Sequence, residues 1–164
     1  MKKTFSILIL CLFVMLSCEG PQGPPGVPGP SGGQVVAPAF EIALDFTPEN
    51  NYEFVGPYGF TIFPSDVTLV YMLWETNNGQ EIWRLLPQTV NFTEGTLTYN
   101  FDFTRTDVRF FLEGSVNPAI LDSSWTRNQV FRVVVVPADN VGKIDYSNFE
   151  AVTAAYGITN FNVR

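Results

Sequence analysis

The side chains that most enzymes use for acid–base or nucleophilic chemistry are scarce in this sequence. Its 164 residues include no His and only two Cys, so the usual general base and the commonest metal ligand are missing. Paired carboxylates, the groups that a glycosidase uses, are the remaining option. Glu75 and Glu81 are candidates on facing strands, but no pattern selects one pair among the 16 acidic residues. We therefore predict that the protein is not an enzyme and has no catalytic residues.

One polar segment near the C-terminus carries oxygen ligands of the kind that calcium binds. Asp139, Asn140 and Asp145 are clustered in a single predicted loop, and Ca²⁺ prefers carboxylate and amide oxygens. The segment lacks the alternating ligands and the bidentate Glu of an EF-hand, and Lys143 lies in its middle. We favour a polar turn and expect no metal or other cofactor; a calcium site is the alternative.

Two tryptophans, Trp83 and Trp125, are the candidates for ligand binding, because planar rings on a sandwich surface can stack against sugars. Trp83 lies between Ile82 and Arg84 and faces away from Ile82, which allows it to be exposed. Trp125 lies in a polar loop, residues 122–128, and is the aromatic residue that we most expect at the surface. The alternative for both rings is an ordinary place in the core.

The N-terminal residues have the layout of a secretory signal. Lys2-Lys3 precede an uncharged apolar run, residues 4–17, which is too short for a membrane helix of about 20 apolar residues. The run ends in Val14-Met15-Leu16-Ser17-Cys18, which resembles the lipobox of bacterial lipoproteins. The resemblance implies that residues 1–17 are a cleaved lipoprotein signal peptide and that Cys18 carries a lipid. An ordinary signal with a stray Cys is the alternative.

Residues 18–33 form a predicted linker between Cys18 and the rest of the chain. Glycine occupies every third position in four consecutive triplets from Gly20, as a triple helix requires. The tract resembles the collagen repeat, but four triplets are too few to hold three chains together by themselves. We favour a single polyproline II spacer about 40 Å long, and hence a monomer. A homotrimeric stalk is the alternative.

Residues 34–164 predict an all-β domain. Apolar and polar residues alternate in several segments, most clearly from Leu97 to Thr104, which indicates half-buried antiparallel strands. Residues 67–74 and 130–136 are almost continuously apolar, which predicts central strands that are buried on both faces or lie between the two sheets. The expected fold is an antiparallel β-sandwich, jelly-roll-like in its strand order. Further strands are predicted at residues 40–46, 80–86, 108–112 and 158–163.

Local signals place one hairpin and one short C-terminal helix. Asn77-Asn78-Gly79 contains residues that tolerate positive φ, which predicts a tight hairpin. Ser147 and Glu150 have the spacing of a capping box, so we expect a helix to start there and to end at Gly157. Three apolar residues recur at helical spacing and should pack on the sandwich; they are Phe149, Val152 and Tyr156.

As a whole, the chain resembles small bacterial envelope lipoproteins that carry a brief collagen-like tract before an uncharacterised β-rich domain. The resemblance implies a lipid anchor in the cell envelope, in the outer membrane, facing the periplasm or the cell surface. It implies no activity, so we expect a structural or interaction role, with a protein or glycan partner. The pI near 4.4 argues against nucleic acid. Alternatives are a carbohydrate-binding module of a surface glycan system and a trimeric collagen-stemmed binding head.

Overall fold

The computed structural model describes residues 37–138 and 144–164. The predicted signal peptide, Cys18 and the collagen-like tract lie outside the described residues, and so do Asp139 and Asn140. No helix among the described residues is long and apolar enough to cross a bilayer. The elements that position the site are β1 (Ala39–Leu44), β2 (Glu53–Pro57), β3 (Val67–Asn77), β4 (Gln80–Leu85), β5 (Gln88–Phe92), β6 (Gly95–Phe103), β7 (Asp107–Gly114), β8 (Gln129–Val136), α1 (Phe149–Ala155) and β9 (Asn162–Val163).

The strands form two sheets, as the predicted all-β sandwich requires. The five-stranded sheet has the order β4-β3-β8-β1-β9, and the four-stranded sheet has the order β2-β7-β6-β5. Neighbouring strands are antiparallel except β1 and β9, which are parallel. The jelly-roll-like order is not met, because the hairpin β3–β4 and the meander β5–β6–β7 each stay within one sheet. A jelly roll instead passes between its two sheets at nearly every connection.

The inner faces of the two sheets share one buried core, which confirms the alternating patterns. Phe40, Ile42 and Leu44 of β1 are buried, whereas the residues between them are more exposed. The rings of Phe110 and Phe131 come from different sheets, and their centroids lie 5.0 Å apart. Because a buried Phe side chain contributes about 2–3 kcal/mol, such rings supply much of the stability.

A second apolar cluster covers the outer face of the five-stranded sheet. Tyr71 of β3 and Val134 of β8 point to this side and are fully buried beneath Val152 and Tyr156 of the α1 region. The last four residues of β8, Val133–Val136, are therefore all buried. The prediction that β3 and β8 are central strands buried on both faces is confirmed.

The short helix begins one residue later than the predicted capping box. Asn148 is the N-cap, and its side-chain oxygen accepts a hydrogen bond from the Ala151 N–H at 3.0 Å. The Ser147 hydroxyl instead donates to the Asp145 carboxylate at 2.6 Å. A hydrogen bond to a charged carboxylate is stronger than the bond that the hydroxyl would accept from a backbone N–H as an N-cap. Ser147 therefore binds Asp145 and does not cap the helix. Gly157, with φ of 61°, follows the helix as predicted.

The predicted hairpin turn is confirmed, whereas the predicted last strand is too long. Asn78 and Gly79 both have positive φ, 50° and 79°, and they form the predicted tight turn between β3 and β4. The last strand is shorter than predicted: only Asn162–Val163 pair with β1. Ile158 is still bound to the helix, because its N–H donates to the Thr153 carbonyl at 2.9 Å. The backbone there completes the helix and cannot join a strand.

Candidate functional site

A groove of about 670 Å³ lies between β4 and the start of α1. Glu81 and Trp83 form its wall on β4, because residues two apart on a strand face the same side. Asn148, Phe149 and Glu150 form the facing wall at the start of the helix. The groove is therefore bordered by an aromatic pair, two carboxylates and an amide.

Arg132 lies at the floor of the groove and organises the residues around it. Its Nε donates to Glu41 Oε2 at 2.9 Å, and its Nη2 donates to Glu81 Oε2 at 3.1 Å. The Arg132 side chain is only 18% exposed and that of Glu41 only 23%, so the bond between them is largely shielded from water. Glu81 is 47% exposed, and its bond to Arg132 lies at the surface. The guanidinium carbon also lies 4.0 Å from the centroid of Trp83 and 4.6 Å from that of Phe161.

The strand register explains why these residues meet. β8 places Arg132 directly opposite Glu41 on β1 and opposite Tyr71 on β3. Phe149, the first residue of α1, stacks between Trp83 and Phe161 at centroid distances of 5.5 and 5.7 Å. We name this set the Arg132 cluster; its members are Arg132, Glu41, Glu81, Trp83, Phe149 and Phe161.

Trp83 is placed on the predicted outer face, opposite to Ile82, but it is half-buried. Its Nε1 donates to Glu81 Oε2 at 3.2 Å, which fixes the ring against the strand. Arg132 covers part of the ring, and the remainder borders the groove. The ring is thus held rigidly in a polar, open groove, where it can contact a ligand without first being ordered.

The charges around the groove favour neutral or cationic ligands. The lining carries two carboxylates, Glu81 and Glu150, and one guanidinium, Arg132. That guanidinium is already paired with Glu41 and Glu81. An anion would therefore find no free positive charge there, whereas the carboxylates and the Asn148 amide could bind hydroxyl groups.

Trp125, which we expected at the surface, is instead half-buried and packs against the inner core. Its ring meets that of Phe92 edge-on, with centroids 5.2 Å apart. The Asp122 carboxylate caps the turn Ser123–Trp125 by accepting from the Ser124 N–H at 2.8 Å. The buried Tyr99 hydroxyl donates to the Trp125 carbonyl at 2.6 Å. These bonds fold the polar loop inward, so Trp83 and Trp125 belong to different clusters.

The predicted calcium ligands are only partly described. Asp145 is exposed and accepts bonds from the Ser147 N–H at 3.0 Å and from its hydroxyl at 2.6 Å. These bonds hold the pKa of Asp145 below its usual value. Asp139 and Asn140 lie outside the described residues. Within residues 37–138 and 144–164, no group of three or more acidic, His or Cys residues could hold a metal ion.

The two carboxylates of the candidate pair have different surroundings. Glu81 is bound to Arg132 and Trp83, and Glu75 pairs with Ile82 across the strands. A general acid needs a carboxyl whose pKa is raised. Hydrogen bonds lower the pKa of four exposed carboxyls: the donors to Glu49, Asp122 and Asp145 lie within two residues of each, whereas those to Asp45 are Asn128 and Arg127.

The sequence patterns did not reveal Arg132 as a site residue. One signal was present, since Arg132 is the only charged residue in an otherwise apolar run, residues 130–136. A charge inside a strand that is buried on both faces must find a partner. Its partners, Glu41 and Phe161, are distant in sequence, so no local pattern could have named them.

No protein-family model, curated protein or solved structure matches this chain. The groove is therefore the feature of the head that bears on function. Its distinguishing features are an arginine held by two carboxylates, a fixed aromatic wall and an excess of negative charge.

Proposed function

We propose that the protein is a lipid-anchored protein of the bacterial cell envelope whose β-sandwich head binds a ligand and catalyses no reaction. The anchor is Cys18, acylated at the end of a lipoprotein signal, and the collagen-like tract is the stem. The lipobox-like residues Val14–Cys18 support the anchor, and the strict glycine period supports the stem. The proposed location is the outer membrane, with a monomeric head facing the periplasm or the cell surface.

The observation that carries the binding role is the preformed groove at the Arg132 cluster. Its residues fix one another through ion pairs and ring contacts, so little conformational entropy is lost when a ligand enters. The same ion pairs engage the only cation in the groove lining. The arrangement suits recognition better than proton transfer.

The two cysteines provide a matched test of the anchor. Cys18→Ala should abolish labelling of the protein by a radioactive fatty acid and release the protein from the membrane fraction. Cys11→Ala changes a residue of the predicted signal and should leave the labelling intact. Retention of the label in Cys18→Ala would refute the anchor.

A second candidate function is recognition of a neutral glycan in the groove. Trp83 provides a ring for stacking, and Glu81, Glu150 and Asn148 provide hydrogen-bonding groups around it. Binding of soluble glucan, xylan and mannan can be measured by calorimetry. Trp83→Ala should abolish the binding, and Trp125→Ala should retain it once corrected for the folded fraction. Equal loss in both variants would refute this candidate.

The trimeric, collagen-stemmed alternative differs from the monomer in its mass. Four triplets offer too few interchain bonds to assemble three chains unaided. Sedimentation equilibrium of the delipidated protein should therefore give a monomer. A stable trimer would refute the monomer and favour the stalk.

A further inference from the structure

Exposed apolar side chains are concentrated at one end of the head. At this end β2, β6 and β8 finish, and β1, β3 and β7 begin. We name it the stem end, because residues 1–36 join the head there, at Ala37. Four of the eight large apolar side chains that are exposed among the described residues lie at this end; they are Phe60, Phe63, Val67 and Phe103.

The loop that carries two of these rings is fixed to the core. Tyr58 and Ile62 are buried, and their backbone N–H groups donate to the carbonyls of Thr106 and Arg105 at 2.9 and 3.0 Å. The ring of Phe60 stacks on Tyr58 at 5.6 Å. Phe63 is held 73% exposed between these anchored positions. The loop therefore presents its rings without a large loss of conformational entropy on binding.

One carboxylate and one guanidinium form hydrogen bonds with the backbone of the loop that carries Phe60 and Phe63. The Asp66 carboxylate is bound within the loop, since its Oδ2 accepts from the Phe63 N–H at 2.9 Å. Arg105 is exposed, and its Nε donates to the Ile62 carbonyl at 3.3 Å. Within the described part of the chain, no carboxylate forms an ion pair with the Arg105 guanidinium. The loop thus combines exposed aromatic rings with an unpaired cation.

We propose that the stem end contacts the phospholipid headgroups of the membrane to which the protein is anchored, through Phe60, Phe63 and Arg105. Exposed apolar rings such as Phe can be buried at the boundary between headgroups and acyl chains, and a guanidinium can reach lipid phosphates while its stem packs on apolar groups. This inference rests on the proposed Cys18 anchor, because tethering raises the local concentration enough for a weak contact to matter. The chain continues from Cys18 into Ala37, and β1 begins at the stem end, so the proposed tether is joined to the head at this end.

Fluorescence quenching by labelled lipids can test this orientation. The acylated protein is reconstituted in phosphatidylcholine vesicles whose acyl chains carry nitroxides, with an environment-sensitive fluorophore at Ser65→Cys or at Ser123→Cys. Both serines are exposed; Ser65 lies in the stem-end loop, and Ser123 lies between β7 and β8 at the opposite end. We expect quenching at position 65 to be several-fold stronger than at position 123.

A pair of substitutions tests whether the ring itself makes the contact. Phe63→Asp should reduce quenching at position 65 to the level at position 123, whereas Ile120→Asp, at an exposed apolar residue of the opposite end, should leave it unchanged. Equal quenching at both positions, or quenching that survives Phe63→Asp, overturns the inference. The fluorophore at position 65 could instead be shielded from water by a second copy of the protein. Shielding of this kind would disappear when the protein is diluted in lipid, and that result also overturns the inference.

Flotation of the vesicles separates this inference from the proposed anchor. Protein that floats with the vesicles but shows equal quenching at both positions refutes only the stem-end contact. Protein that does not float refutes the anchor, and the inference with it. Circular dichroism of each variant confirms that the comparison is between folded proteins.

Discussion

At the scale of single residues, Arg132 is the side chain with the most interactions that depend on its charge. It joins β1 and β4 through Glu41 and Glu81, and three rings of the cluster surround its guanidinium. Glu41 is itself only 23% exposed. Removal of the cation would leave this carboxylate with little water and no partner, which costs more than the ion pair contributes.

Arg132→Met preserves most of the side-chain volume while it removes the charge. We expect it to lower the free energy of unfolding by about 2–3 kcal/mol, measured by urea denaturation. Arg127→Met is the matched control, because Arg127 and Asp45 form an ion pair in which both side chains are about half exposed. That loss should stay within about 0.5 kcal/mol. Equal losses of unfolding free energy in the two variants would show that the ion pairs of Arg132 contribute no more than an exposed surface pair.

Tryptophan positions show what residue-level patterns can and cannot predict. Strand alternation correctly placed Trp83 on the face opposite to Ile82. The expected exposure of Trp125 is not met: its ring packs on Phe92 and the inner core, and its backbone carbonyl accepts from the Tyr99 hydroxyl of another strand. A polar loop sequence contains no information about such a distant donor.

At the scale of elements, the β6–β7 hairpin depends on a close backbone approach at Gly114. This glycine lies opposite Leu97, and its φ is 135°, a conformation that other residues rarely adopt. A Cβ atom there would also collide with the backbone carbonyl of Thr96. Strand β6 cannot move away without disturbing the inner core, because Leu97 is fully buried.

We therefore expect Gly114→Ala to destabilise the protein by about 3 kcal/mol or more. Gly59→Ala is the control, since Gly59 also has positive φ, 75°, but has open space where the Cβ would lie. It should cost about 1–2 kcal/mol, the conformational term alone. Thermal unfolding of the two variants measures the difference, and equal midpoints would contradict a steric role for Thr96.

Helix α1 is the element that covers the second cluster, and Val152 is its fully buried residue. Val152→Asp would place a charge between the helix and the five-stranded sheet. We expect a loss of about 3 kcal/mol, together with faster hydrogen exchange in β8. Ala154→Asp changes an exposed position in the last turn of the same helix and should cost about 1 kcal/mol, from helix propensity and the helix dipole. Similar exchange rates in the two variants would show that α1 does not protect the sheet.

The elements also show how much of the fold can be predicted from sequence. Period-two alternation found β1, β6 and β7, and continuous apolar runs found the central strands β3 and β8, because burial on one or two faces acts on each residue locally. Strand order, the parallel pairing of β9 and the meeting of Arg132 with Glu41 depend on contacts between distant segments. The groove could not be predicted for the same reason.

At the scale of the whole molecule, the burial of tyrosines governs the response to alkaline pH. No imidazole changes its charge near neutrality. Burial raises the pKa of Tyr71, Tyr99 and Tyr58 above the ordinary 10.0. Each of these phenols therefore stays protonated in the folded state at a pH where it ionises in the unfolded state.

The sign of the alkaline effect follows from proton release on unfolding. Above about pH 10 the unfolded chain binds fewer protons than the folded chain, so the free energy of unfolding should fall by about 1.4 kcal/mol per pH unit for each of Tyr71 and Tyr99. Urea denaturation from neutral pH to about pH 11.5 measures this slope. Tyrosinate absorbance should appear together with unfolding. In a Tyr71→Phe, Tyr99→Phe variant the slope should decrease by the contribution of about two protons. An unchanged slope would mean that these hydroxyls already ionise in the folded protein.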